Sequence, residues 1–442
     1  MDTNKKSYTS AFIIVTILFF LWGFITVLVD SLIPRLKDVF ELSNFQAVLV
    51  QFAFFGAFFV FSVPAGWLLS KIGYQKGIVL GLAVMAVGCV LFSPAASERI
   101  FLVFIVGYFT LAAGITILQV AANPYVAVLG AENGASSRLN LSQAFNSLGA
   151  AIAPIIGASF LLSDTIMSSE AIATLPEVDQ ENYYIGEAAA VSSPFLILAG
   201  CIAILAVLFV FIKLPKILQE SPKGGYTRLF KNKYVMMGVV GIFVYVGAEV
   251  SIGSFLVLYC MDMNLASVIL ESSVMNSFAS SVIGKELASV DPKAIVGAFV
   301  FLYWSGAMVG RFVGAYLTRI IKPGKVLAIF ASLAVAMLFI SISSSGLVAM
   351  WSILAVGLFN SIMFPTIFTL TIEGQGDLKP QASGLLCTAI VGGAIIPPLY
   401  GLLADNIGFK TAFLLVIACY AYILYFGYVK SKQKLTVSSW CT

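Results

Sequence analysis

The chain has 442 residues, 60% of them hydrophobic, 13% aromatic and only 10% charged. No water-soluble chain of this length needs so much apolar surface, so a soluble globular protein is excluded at the outset. The net charge of +4 gives no hint of nucleic-acid binding and reflects membrane topology instead.

Apolar stretches of roughly 20 residues, enough to cross a hydrocarbon core of about 30 Å, recur along the chain. They are predicted to be helices, because a backbone in lipid must satisfy its own hydrogen bonds. The first span is 11–33. Lys5 and Lys6 precede it as in a signal peptide, yet it is too long and runs to Pro34 without a small-residue cleavage site, so it is kept as a span. Spans follow at 45–69, 75–96, 100–129, 139–162 and 192–212. From Lys213 to Lys233 the chain turns polar and basic, with Pro215, Pro222, Gly224 and Gly225. Six more spans lie at 235–260, 295–318, 326–342, 347–370, 382–404 and 411–429. The expected fold is an all-α membrane protein with 12 transmembrane helices in two pseudo-symmetric six-helix bundles. Its domains are residues 1–213, a cytoplasmic linker 214–233, residues 234–430 and a cytoplasmic tail 431–442. The segments 164–190 and 261–294 read as outer loops without an assigned role.

Basic residues are retained on the cytoplasmic side. With the N-terminus inside, that side receives Lys71, Lys76, Arg138, the 213–233 cluster, Arg319, Lys322, Lys325, Lys379 and the tail lysines, and the other side keeps few. Both termini are therefore expected in the cytoplasm, with the chain in a bacterial inner membrane surrounded by lipid.

The two halves share residues at matched positions, as duplicated transporters do. The fifth span carries Gly149, Ala150, Ile152, Pro154 and Gly157, and the eleventh carries Gly393, Ala394, Ile396, Pro398 and Gly401 at a constant offset. Gln119 stands five residues before Pro124 in the fourth span, and Asn360 five before Pro365 in the tenth. The basic turns Gly66, Ser70, Lys71, Lys76 and Gly314, Thr318, Arg319, Lys325 also correspond. Small residues are common at membrane helix contacts in any case, but the recurrence with matching spacing favours a repeat.

Six scattered cysteines form no CxxC pair, and histidine is absent, which removes the commonest metal ligand and the usual general base. There is no GxxxxGK[ST] or HExxH motif. No cofactor is expected, the chain is not expected to be an enzyme, and energy must come from a solute gradient.

Ionisable residues inside the spans are few, and each costs about 2.5–3.5 kcal/mol to insert, so each should face a wet cavity or a partner. Asp30 is a candidate for cation coupling or, alternatively, an interfacial cap near Pro34 and Arg35. Glu249 is a second coupling candidate, with a structural hydrogen-bonding role as its alternative. Arg311 reads first as structural, with a counter-ion or gate role beside it; Lys71 and Arg319 stand at the basic turns as gating or structural residues. A sugar hydroxyl both donates and accepts, and an amide answers it at one position. Gln143 and Asn146, three apart on one helix face, join Gln119, Asn123 and Asn360 as candidate sugar ligands, the last two serving equally well as glue between helices. Trp22 and Trp304 are candidate platforms for a pyranose ring.

The basic central loop and glycine-rich turns resemble the major facilitator superfamily, although Ser70 stands where its motif usually has Asp. The segments FFLWGFITVLVDSLIP, AANPYVAVLG, RLNLSQAFNSLGA and FPTIFTL resemble the fucose:proton symporter family, and AEVSIGSF its glucose/galactose transporter branch. The resemblance implies a carrier that imports a hexose, glucose or galactose first, by alternating access with a coupled cation, and a monomer is expected. It places the family's essential first-helix carboxylate on Asp30, also a candidate sodium site, and its pocket amides on Gln143 and Asn146. Its second carboxylate falls on Gln119, where this chain departs from the proton-coupled members, so sodium is slightly favoured over a proton. A fucose or N-acetylglucosamine symporter, an exporter of amphipathic compounds and a transporter-like sensor are the alternatives.

Overall fold

The structure is a computed structural model that describes residues 2–39, 44–98, 100–161, 174–215, 217 and 225–433. The side chains of 2–7, 30–39, 44, 45, 47, 48, 155–161 and part of 177–191 lie outside that description.

Every regular element among the described residues is a helix. The first half contains α1 (Asp2–Val39), α2 (Asn44–Ile72), α3 (Tyr74–Ser97), α4 (Phe101–Val128), α5 (Ala135–Leu161) and α6 (Glu177–Phe211). A short α7 (Gly225–Lys231) leads into α8 (Lys233–Asp262), then α9 (Leu265–Glu271), α10 (Ser273–Ile283) and α11 (Pro292–Gly297). The chain continues through α12 (Val300–Ile320), α13 (Pro323–Ser343), α14 (Gly346–Asn360), α15 (Met363–Ile372), α16 (Lys379–Thr388), α17 (Gly392–Ile407) and α18 (Phe409–Lys432).

All the predicted spans fall on helices. Among the described residues 11 stretches are long and apolar enough to cross a membrane, and the pair α9 and α10, bent by 104°, is a further candidate. The fifth predicted span falls on α5, whose first half is polar. Two segments read as outer loops are partly helical. α6 starts at Glu177, where Pro176 precedes a run of Glu, Gln and Ala that favours helix. α10 and α11 are capped by Ser272, which accepts from the Met275 N–H at 3.5 Å, and by Asp291, which accepts from the Lys293 N–H at 2.7 Å.

By packing the chain divides into two compact units. The first comprises Met1–Leu129, Phe145–Tyr226 and Asp377–Thr388, so it takes in α16. The second comprises Gly130–Ala144, Thr227–Gly376 and Ala389–Thr442, so it takes in the start of α5.

In lipid, helices adhere by close packing rather than by expelling water, and small residues let backbones meet. In the first unit α3 and α4 touch this way. A Cβ at Gly81 would lie 2.7 Å from the Leu118 nitrogen, and one at Gly88 2.5 Å from that of Leu111. In the second, a Cβ at Gly324 would lie 2.7 Å from the Ser431 nitrogen and one at Gly427 2.8 Å from that of Ala328, binding α13 to α18.

Candidate functional site

In the second unit the site grows from a glycine ladder. Gly306, Gly310 and Gly314 recur every fourth residue and so share one face of α12. A Cβ at Gly310 would overlap the Leu358 carbonyl oxygen, and one at Gly357 would overlap that of Tyr303. The ladder brings Arg311 beside the break between α14 and α15. Pro365 has no N–H, so the carbonyl four residues earlier, on Ser361, loses its helical donor. Arg311 Nε donates to that carbonyl at 3.2 Å.

The Arg311 guanidinium also acts electrostatically on Glu249 of α8. The Glu249 carboxylate accepts from the Tyr245 hydroxyl at 2.8 Å, one helical turn away. Asn360, fully buried at the end of α14, donates through Nδ2 to the hydroxyls of Tyr303 at 2.6 Å and Tyr420 at 3.2 Å. Its Oδ1 is buried without a partner among the described residues. Trp304 meets the Tyr303 ring edge-on at 5.1 Å and leaves 48% of its surface exposed. Glu249, Arg311 and Asn360 thus join one polar network, with Trp304 at its border. Arg319 ends α12 in an exposed position outside it, where a cation suits the helix C-terminus.

Gln143 is buried in the part of α5 that belongs to this unit. That stretch is pinned by side-chain hydrogen bonds: Ser136 to Thr369 at 2.6 Å, Asn140 Nδ2 donating to Thr366 Oγ1 at 3.1 Å, and Ser137 donating to the Ala315 carbonyl at 2.7 Å. Sequence reasoning missed Tyr245, Tyr303, Tyr420, Ser136, Asn140 and Thr366. Only the one-turn spacing of Tyr245 and Glu249 offered a signal.

In the first unit Asn146 lies where α5 crosses α1. A Cβ at Gly23 or Gly149 would overlap the facing backbone, and within that contact Asn146 Nδ2 donates to the Phe19 carbonyl at 2.9 Å. Trp22 is buried with its ring edge-on to Phe19 at 5.4 Å. Gln119 and Asn123, one turn apart on α4, are both buried. Pro124 frees the Val120 carbonyl as Pro365 frees that of Ser361, and Ser383 of α16 donates to it at 2.9 Å. Lys71 closes α2 with its Nζ 3.6 Å above the Trp67 ring. Asp30 lies on α1, and its side chain, with the candidate sodium site, falls outside the described residues.

Among the described residues no three carboxylates or thiols converge. Each unit offers amides and hydroxyls of the kind suited to neutral polyhydroxy solutes. Asn146→Ala is expected to weaken sugar uptake by about tenfold, as one hydrogen bond of roughly 1–3 kcal/mol goes unmade. Loss of the Phe19 contact adds a smaller destabilisation of about 0.6 kcal/mol. Titrating uptake rate against sugar concentration, with folded yield measured in parallel, checks this; unchanged half-saturation would remove Asn146 from the site.

A sequence profile described as Major Facilitator Superfamily matches residues 8–389. A glucose/galactose transporter of Brucella abortus is 47% identical over 98% of this chain and 96% of its own. The L-fucose-proton symporter of Escherichia coli is 33% identical over 97% of this chain and 95% of its own. Among solved structures, FucP in the outward conformation superposes with a TM-score of 0.85 at 31% identity, covering 97% of this chain and 100% of that one.

Proposed function

The chain belongs to the Major Facilitator Superfamily, in the family of the fucose:proton symporters and glucose/galactose transporters, and we propose that it imports glucose or galactose with a coupled sodium ion. It is a multi-pass membrane transporter, not an enzyme. The observation that carries the hexose reading is the closer kinship to the glucose/galactose transporter than to the fucose symporter along nearly the whole length. Buried amides on α4, α5 and α14 support it chemically, since each matches a hydroxyl that donates and accepts.

The sodium reading starts from Gln119. A proton carrier needs a group that loads and releases a proton near neutral pH, which for a carboxylate means a rise of about 3 units in one state of the cycle. An amide cannot titrate. In this reading Asp30 stays ionised and serves as the ligand of a hard cation, whose entry drives the sugar. The excess of basic residues in one set of loops supports both termini lying in the cytoplasm, and the bacterial relatives support the inner membrane. The carrier is proposed to work as a monomer.

Uptake of labelled glucose, galactose, fucose and N-acetylglucosamine into proteoliposomes under imposed gradients tests the reading. Glucose and galactose are expected to accumulate under an inward sodium gradient at equal pH. Preferential accumulation of fucose or N-acetylglucosamine would replace the substrate, and uptake that ignores sodium and follows pH would move coupling to Glu249.

A further inference from the structure

A cavity of about 470 Å³ opens where α2 ends and α3 begins, in the first unit and apart from the residues assigned to sugar. Its shape is built, not incidental. Gly73 turns the chain between the two helices within one residue, at φ 84°, a conformation that favours glycine. Gln75 Nε2 donates to the carbonyls of Phe209 at 2.9 Å and Ile212 at 2.7 Å, tying the start of α3 to the end of α6. The Tyr125 hydroxyl donates to the Pro215 carbonyl at 3.2 Å and holds the opposite wall, and its ring lies 5.5 Å from that of Tyr74.

The lining divides by chemistry. Ile72, Val79, Val210, Leu214 and Ile217 make it greasy, while Lys71 and Lys76, both exposed, bring two positive charges to it across the Gly73 turn. α3 starts here without a side-chain cap, so its first N–H groups add to the positive potential. Asp377 acts electrostatically on Tyr74, but no acid stands among the described residues that line the cavity. The Ser70 hydroxyl already donates a hydrogen bond to the Trp67 carbonyl at 2.6 Å.

We propose that this cavity binds a phosphate ester anion, either the headgroup of an anionic phospholipid or a soluble phosphate. The lysines take the phosphoryl oxygens, and the apolar wall takes the glycerol and first methylenes when the source is a lipid. A basic, half-apolar pocket at the ends of membrane helices matches such a headgroup in charge and in polarity.

Thermal unfolding of the full chain in neutral detergent tests this, with dioctanoyl phosphatidylglycerol, dioctanoyl phosphatidylcholine and inorganic phosphate as probes at constant ionic strength. Phosphatidylglycerol is expected to raise the midpoint and phosphatidylcholine to leave it. Lys76→Gln should raise the half-saturating concentration about fivefold, and the Lys71→Gln, Lys76→Gln double variant about 30-fold. Lys76→Arg should keep the response, which separates charge from fold, and Val79→Trp should remove it by filling the space. A response to inorganic phosphate equal to that of phosphatidylglycerol, and lost in the double variant, supports the site with a soluble source. Equal responses to the two lipids, or a half-saturation unchanged in the double variant, overturn the proposal.

Discussion

Asp30→Asn is expected to reduce concentrative sugar uptake to simple equilibration. One monovalent cation entering with each sugar brings about 2.3 kcal/mol per 100 mV of membrane potential, which sustains about a 50-fold accumulation. The asparagine keeps the size of the aspartate but replaces one acceptor oxygen by an NH2 donor and removes the charge that a hard cation requires. The accumulation ratio in proteoliposomes should therefore fall from tens to one, while sugar still raises the unfolding midpoint of the purified variant. Glu249→Gln should impair uptake more mildly, because Tyr245 retains an oxygen acceptor while Arg311 loses a counter-charge. If Asp30→Asn accumulated sugar as the parent does, the coupling site would lie elsewhere, with Glu249 the first alternative.

Gly357→Val should be among the most damaging single changes in the second unit. A Cβ there would overlap the Tyr303 carbonyl oxygen, and the obstacle is backbone, which cannot rotate aside. α12 and α14 would have to separate, and with them Arg311 would leave the Ser361 carbonyl and Asn360 the Tyr303 hydroxyl. Overpacking a core costs about 1–3 kcal/mol, and the broken hydrogen bonds add about 1 kcal/mol each. Loss of the monodisperse folded fraction in detergent is the readout. Val309→Ala, on a half-exposed face of α12, serves as the control and should fold normally.

The spans were legible because hydropathy alone decides what crosses a membrane, and the twofold repeat was legible because duplication leaves residues at a fixed offset. The paired amide and proline were read from the repeat, but their consequence was not. In each half the proline releases the carbonyl next to the amide, and a distant side chain takes it: Ser383 for Val120 and Arg311 for Ser361. No local pattern announces a donor more than 200 residues away in the first case and 50 in the second. The tyrosines around Glu249 and Asn360 were illegible for another reason. In so aromatic a chain a tyrosine reads as one more apolar residue until its hydroxyl is seen to have a partner. The helix between Glu177 and Ser192 was hidden because polar residues there favour loop and helix about equally, and the cap decides. α9 and α10 are apolar enough, but each is short and the pair is bent by 104°, so no single span could be read there.

The glycine ladder of α12 has a mechanical consequence. A seam made of backbone against backbone has no rotamers to exchange, so it offers no series of small slips by which one helix could slide over the other. α12 and α14 should travel as a single strut through every stage of the carrier's work. Spin labels at Tyr316 and Val348, both on exposed faces of that pair, should report one narrow distance distribution with and without sugar. A second population appearing on addition of sugar would mean that the strut bends.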